Sequence, residues 1–162
     1  MGASRVGKTS IKEMFCKGNM PSDYLETLGV EYDSKVLKFD DKGAKLIVWD
    51  SSGGKRQEMF TAQYWKGTHG ALLVYAVNDR DSFNALEKYI KEAADKKIPI
   101  VYLVGNKIDE SKRVVETSEG QKFADDHQMK FFEISAQDGS AIENIFAELT
   151  REIVKNQASK DD

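Results

Sequence analysis

The stretch that decides the fold is Gly2-Ala3-Ser4-Arg5-Val6-Gly7-Lys8-Thr9, which fits the pattern G-x-x-x-x-G-K-[ST]. In such a loop, glycines let backbone N–H groups close around a phosphate, and the following helix directs its positive end at the same anion. Lys8 is predicted to bridge the β- and γ-phosphates, and Thr9 to bind Mg²⁺. The alternative is a glycine-containing turn before an amphipathic helix over residues 10–17. The predicted phosphate-contacting residues are Ser4, Arg5, Val6, Gly7, Lys8, Thr9 and Ser10.

A second element follows the apolar run of residues 46–49, which ends in Asp50 and continues as Ser51-Ser52-Gly53. An acid at the carboxyl end of a buried strand is where a phosphate-binding sheet holds its magnesium. Gly53 is predicted to offer a backbone N–H to a γ-phosphate. Taken alone, Asp50 reads as a plain turn residue; combined with the phosphate loop, it is predicted to be a magnesium ligand.

The base-recognition motif is Asn106-Lys107-Ile108-Asp109, at the end of an apolar run. The Asp109 carboxylate can accept hydrogen bonds from N1–H and the 2-amino group of guanine, and adenine lacks both donors. Asn106 can reach the N7/O6 edge, and the aliphatic stem of Lys107 can pack over the base. A buried site built this way rejects the wrong base because its own polar groups would be left unpaired. The alternative is a polar loop after a strand.

The tripeptide Ser135-Ala136-Gln137 follows the apolar run of residues 131–134 and completes the set. A backbone N–H at Ala136 is predicted to donate to the guanine O6. By itself the tripeptide is weak evidence, and it gains meaning only beside the other three motifs.

Short apolar runs alternate with amphipathic stretches along the chain. Residues 36–39 and 46–49 flank a turn and predict an antiparallel hairpin. A helical pattern begins near Phe83, with Asp81 or Ser82 as the expected cap. This alternation predicts an α/β, mostly parallel, doubly wound sheet with one antiparallel hairpin strand. Near-continuous apolar runs, which suit strands covered on both faces, occupy residues 71–77, 100–104 and 131–134.

The bulk composition fits one domain, predicted over residues 1–156 with a polar tail at 157–162. The net charge is -3, which gives no electrostatic reason to expect a nucleic-acid partner. Cys16 is the single cysteine, so an intramolecular disulfide is excluded and a reducing compartment is expected. The apolar runs are too short to span a membrane, and neither terminus carries a lipidation motif. We therefore expect a soluble, cytoplasmic chain with no membrane anchor of its own.

The four motifs, in this order and spacing, resemble the small GTPases of the Ras superfamily, and the Rab branch fits best. Further matches are residues 28–30 after Thr27, Trp49 before Asp50, and residues 64–71. The resemblance extends from Gly2 to about Ile153 and implies a P-loop NTPase fold that binds GTP or GDP with Mg²⁺. It also implies that Thr27, in switch I, contacts Mg²⁺ and the γ-phosphate.

Family membership would further imply a two-state switch whose loops are ordered by the γ-phosphate. Effector proteins would bind through the switch regions, and an exchange factor and an activating protein would act on the cycle. Vesicle trafficking is the implied process, with the cytosolic face of membranes as its place if a longer chain carries a lipid.

Four departures from the family pattern carry their own expectations. The catalytic glutamine of the family falls on Gly54, which has no side chain to position water, so intrinsic hydrolysis should be impaired. Ser4 and Arg5 stand where the family often has glycine. Met20 replaces the aromatic residue that covers guanine, which should speed nucleotide release. The family's first, central strand would precede Gly2, and it is expected to be absent from this chain.

Three functions remain open on the sequence alone. The first is a slow regulatory GTPase in which Lys8, Thr27 and the position of Gly54 carry catalysis. The second is a pseudo-GTPase that holds GTP without cleaving it and acts as an interaction module. The third is a structural domain without nucleotide affinity, and the intact phosphate and base motifs argue against it.

Overall fold

The computed structural model describes residues 1–23, 30–39, 42–51 and 65–161. Strands and helices alternate as the sequence predicts, and the α/β class is confirmed. The strands are β1 (Val30–Phe39), β2 (Lys42–Ser51), β3 (Ala71–Ala76), β4 (Val101–Asn106) and β5 (Lys130–Glu133). The helices are α1 (Lys8–Lys17), α2 (Arg80–Asn84), α3 (Leu86–Asp95), α4 (Thr117–Asp126) and α5 (Gly139–Asp161).

Two sheets are present among these residues. β3, β4 and β5 form a parallel sheet in that order, with Val74 opposite Val104 and Val104 opposite Phe132. β1 and β2 form the predicted antiparallel hairpin, with Tyr32 opposite Trp49. Because the carboxyl ends of parallel strands meet at one edge, the loops after β3, β4 and β5 are brought together there.

Helices cover both faces of the parallel sheet, so each face has its own core. On one face Phe15 of α1 stacks on Phe146 of α5, with ring centroids 3.9 Å apart. On the other, Tyr75 of β3 packs edge-on against Phe83 of α2, with centroids 5.1 Å apart. Strand residues alternate between these two cores, which is why the runs are apolar at nearly every position. None of the helices in the described ranges is long and apolar enough to cross a membrane.

Two details of the helices differ from the sequence expectation. The cap of α2 is Asp79, and not Asp81 or Ser82: its carboxylate accepts hydrogen bonds from the backbone N–H groups of both, at 3.0 and 3.2 Å. An Asp at this position satisfies donors that the first helical turn leaves unpaired. α5 continues through residues 157–161, so this part of the predicted polar tail is helical.

A groove of about 670 Å³ lies between β2 and β3. Its walls include Val48 of β2, Leu72 of β3 and Leu149 of α5. Met1 lies at the β3 side: its ammonium donates to the Leu72 carbonyl at 2.9 Å, and its own carbonyl accepts from the Val74 N–H at 2.9 Å. Within residues 1–23 the first element is α1. The Met1 contacts fix the start of the phosphate loop against the edge of β3.

A close approach at Gly120 of α4 yields a stability prediction. A Cβ atom there would lie 2.4 Å from the Tyr75 hydroxyl oxygen and 2.5 Å from Cζ of Phe131. We expect Gly120→Ala to lower the free energy of unfolding by about 1–3 kcal/mol, because overpacking outweighs the helix propensity gained. Ser118→Ala, at an exposed position of the same helix, is the matched control. Urea unfolding of both variants checks this, and equal stability of Gly120→Ala and the wild type would contradict it.

Candidate functional site

The phosphate loop has a backbone that requires glycine at two positions. Gly7 has φ of 100°, and a Cβ there would lie 2.3 Å from the side-chain amide nitrogen, Nδ2, of Asn106. A Cβ at Gly2, where φ is 145°, would meet the Val74 carbonyl oxygen at 2.2 Å. The loop is therefore pressed against the edge of β3 and the end of β4, and only hydrogen atoms fit at these contacts.

Lys8 opens α1 and folds back over the loop. Its ammonium donates to the carbonyls of Gly2 at 3.0 Å and Ala3 at 2.6 Å. Burial lowers the pKa of Lys8 to about 8, and the nearby Asp50 carboxylate partly offsets this effect. A desolvated ammonium held against a loop of backbone groups is well placed to interact with an anion, because screening by water is weak there.

The proposed magnesium ligands also meet. The Thr9 hydroxyl donates to Oδ2 of Asp50 at 2.5 Å, although the two residues are 41 positions apart. Asp50 is only 3% exposed at the end of β2. Hydroxyl and carboxylate oxygens are ligands that Mg²⁺ accepts. Thr9 and Asp50 are the two predicted magnesium ligands that the structure brings together, and the described residues contain no cluster of three or more His, Cys, Asp or Glu side chains.

The base motif is tied directly to the phosphate loop. The Asn106 side chain, 1% exposed, donates through its amide to the Val6 carbonyl at 2.8 Å. The Lys107 ammonium donates to the Arg5 carbonyl at 2.8 Å. Arg5 and Lys107 both have positive φ, 65° and 68°. These contacts hold the loop after β4 against the phosphate loop.

The loops after β4 and β5 are also joined to each other. The Ile134 N–H donates to the Gly105 carbonyl at 2.8 Å, and the Ile108 N–H donates to the Ile134 carbonyl at 3.3 Å. Asp109 is exposed, whereas Ala136 is buried.

The structure brings most of the predicted site residues to one edge of the parallel sheet. Val6 is fully buried, so its side chain belongs to the core and only its backbone faces the loop. Met20 is 38% exposed. Gly2 was missing from the predicted phosphate site, although the pattern itself contains it. Three predicted residues lie outside the described ranges: Thr27, Gly53 and Gly54. The other predicted site residues lie within the described ranges: Ser4, Arg5, Ser10, Ser135 and Gln137.

Comparison with known proteins bears on this arrangement. The model of the Ras family matches residues 1–155, nearly the whole chain. The chain belongs to the Ras family. Two Rab proteins are similar to this Ras-family chain. Rab-11B of Dictyostelium discoideum is 42% identical, over 92% of this chain and 69% of the relative. RAB1BV of Beta vulgaris is 37% identical, over 99% of this chain and 77% of the relative.

A third relative of this Ras-family protein is the GTP-binding protein YPT1 of Saccharomyces cerevisiae. It is 36% identical, with 99% of this chain and 79% of the relative covered. The predicted Rab-like affiliation is therefore confirmed.

Proposed function

We propose that this Rab-like protein is a guanine-nucleotide switch that alternates between GTP and GDP with Mg²⁺ and regulates vesicle traffic at the cytosolic face of membranes. The observation that carries the proposal is the joining of its motifs: Thr9 contacts Asp50, and Lys107 contacts the phosphate loop. Residues up to about 100 positions apart thus form one surface with an ammonium, paired oxygens and an exposed carboxylate.

Each group in this surface has a proposed role. Lys8 and the backbone of residues 4–10 hold the β- and γ-phosphates, and Gly53 adds an N–H to the γ-phosphate. Thr9, Asp50 and Thr27 hold Mg²⁺, which neutralises charge on the phosphate oxygens when bound. For the base, Asp109 reads N1 and the 2-amino group, while Asn106 and Ala136 serve the N7/O6 edge. Met20 and Lys107 pack against the nucleotide, and Ser135 and Gln137 support the Ala136 backbone.

The pKa of Lys8 predicts how affinity depends on pH. A phosphate beside the ammonium favours its charged form, so binding raises this pKa above the value of about 8 in the free protein. The complex then holds more protons than the free protein above pH 8, and affinity falls as pH rises beyond 8. Below pH 8 this contribution is constant. In GDP titrations from pH 7 to 10, the affinity of the wild type should fall more steeply than that of Lys8→Arg. The arginine variant stays charged and therefore corrects for titration of the guanine base itself. Parallel curves of affinity against pH for the two proteins would contradict this prediction.

Hydrolysis is proposed to be slow. Water would attack the γ-phosphorus in line, forming a new P–O bond while the bond to the β–γ bridging oxygen breaks, which yields GDP and phosphate. Lys8 stabilises the charge that develops on the phosphates. Gly54 cannot orient the water, which leaves the pseudo-GTPase as the second candidate: a module that keeps GTP and only binds partners.

Gly54→Gln tests which candidate is right. We expect single-turnover GTP cleavage to speed up by about tenfold to a hundredfold, because an amide can then orient the attacking water. Gly54→Ala is the control for losing the conformational freedom of glycine at this position, and it should cleave GTP at the wild-type rate. If Gly54→Gln cleaves no faster than Gly54→Ala, the missing glutamine does not limit the reaction. Nucleotide released on denaturing the fresh wild type adds a second readout: GTP favours the pseudo-GTPase, and GDP the working enzyme.

The outer face of the hairpin is the proposed effector surface. Trp49 is 43% exposed. Its ring lies 4.8 Å from that of Tyr32, which is 62% exposed, and Val36 and Ile47 are exposed on the same two strands. An exposed apolar patch of this kind typically marks a protein contact. Exchange factors and activating proteins are proposed as further partners.

A further inference from the structure

One ion pair lies between the two loops assigned to the base. Arg113 belongs to the segment after Asp109, and Glu133 is the last residue of β5, two positions before Ser135. The guanidinium binds the carboxylate through both of its terminal nitrogens, at 2.7 and 3.2 Å. A bidentate pair fixes orientation as well as distance, which a single contact does not.

Both partners are fixed by further hydrogen bonds. Nη1 of Arg113 also donates to the Val115 carbonyl at 3.0 Å, and the Thr117 hydroxyl donates to Oε2 of Glu133 at 2.8 Å. The side chains are 28% and 16% exposed, so water screens them less than a typical surface pair. The hydrogen bond that Arg113 donates to Glu133 raises the pKa of Arg113, and the guanidinium stays charged.

We propose that Arg113 and Glu133 are positioning residues for nucleotide binding: together they hold the Asp109 segment and the Ser135–Gln137 segment at a fixed separation and thereby set the rate of guanine-nucleotide release. This rests on the proposed guanine site. Asp109 is exposed at the end of its turn, so its direction depends on the segment that follows it. Arg113 is the side chain of that segment that reaches β5.

The protein contains a matched pair for comparison. Arg80 of α2 binds both oxygens of Glu119 in α4, at 2.7 and 3.0 Å, and also donates to the Val114 carbonyl. It therefore anchors the same segment with the same bidentate geometry, but to α4 instead of β5. Removing Arg80 tests general loss of anchoring, whereas removing Arg113 or Glu133 also disconnects the two base loops.

The experiment measures release of a fluorescent GDP analogue from Glu133→Gln, Arg113→Gln and Arg80→Gln at fixed Mg²⁺, with unfolding midpoints measured in parallel. We expect release to be about tenfold faster in the first two and near wild type in Arg80→Gln. The preference for GDP over inosine diphosphate, which lacks the 2-amino group, should fall in the first two alone. The double variant Arg113→Gln/Glu133→Gln should match the singles, because the residues act as one unit.

The outcomes separate the two proposals. If the wild type binds no GDP, the proposed function fails and the inference fails with it. If the wild type binds GDP but Glu133→Gln releases it no faster than Arg80→Gln, the positioning role is wrong while the guanine site stands. Faster release in Glu133→Gln with an unchanged preference for GDP over inosine diphosphate would also overturn the proposal, since it would reflect loosening unrelated to the base.

Discussion

Asp109→Ala lowers the affinity of this protein for GDP by about 10²–10⁴-fold. The expected size follows from two hydrogen bonds to a charged acceptor, each contributing about 1.5–3 kcal/mol, with 1.4 kcal/mol per factor of ten in affinity. Asp109 is exposed at the turn that follows Asn106 and Lys107, so truncating it leaves the core intact. Unfolding should therefore be unchanged while binding is lost.

A change of specificity makes the Asp109 test sharper. Asp109→Asn replaces one acceptor with an amide donor, which suits xanthine because xanthine carries a carbonyl where guanine has its 2-amino group. We expect this variant to prefer xanthosine diphosphate over GDP. Glu110→Ala, at the exposed neighbouring position, is the control and should bind GDP as the wild type does. Equal GDP affinity of Asp109→Ala and Glu110→Ala, measured by calorimetry, would remove Asp109 from the site.

The sequence was most informative where function depends on a short continuous segment. Residues 2–9 and 106–109 each combine a strand end, a special backbone conformation and a few polar side chains in one stretch of chain. The positive φ of 100° at Gly7 shows why such a loop uses glycine there, whereas the contact between Lys107 and the phosphate loop was not among the predictions. Local chemistry of this kind can be read without knowing how the chain folds around it.

The hairpin shows a structural element whose full extent the local sequence does not predict. β1 starts at Val30, but the sequence predicted it only for residues 36–39. The earlier part was missed because its inward side carries charged residues instead of apolar ones. Asp33 lies 3.1 Å from the buried ammonium of Lys12, and Lys35 lies 2.7 Å from Glu143 of α5. Their partners are up to 108 positions away, so alternation of apolar and polar residues does not reveal the buried face.

The Arg113–Glu133 pair escaped prediction for the same reason. Nothing in the local sequence distinguishes Arg113 from neighbouring charged residues, and its partner is 20 positions away. Asp79 was missed as a cap because several polar residues in a row are each acceptable caps, and only the backbone angles decide among them. In both cases the choice among chemically equivalent residues is made by tertiary geometry.

Lys8→Ala is expected to reduce GDP affinity by about 10²–10⁴-fold, since an ammonium in contact with two phosphates makes charge-assisted hydrogen bonds of about 1.5–3 kcal/mol each. The effect belongs to the charge and its position, because the loop holds the Lys8 ammonium at 2.6 Å from the Ala3 carbonyl. Lys17→Ala removes an ammonium from the other end of α1, where Lys17 pairs with Glu13 on the surface, and should leave affinity unchanged.

Lys8→Ala should also be more stable to unfolding than a typical lysine truncation, because removing a desolvated ammonium relieves the cost that lowers its pKa to about 8. Weaker binding together with unchanged or higher stability is the signature of a residue kept for its ligand and not for the fold. Binding and urea unfolding measured on Lys8→Ala and Lys17→Ala test this directly. If Lys8→Ala binds GDP normally, or loses binding only because it unfolds, Lys8 does not have the role assigned to it, and the phosphate site must be sought elsewhere on the sheet edge.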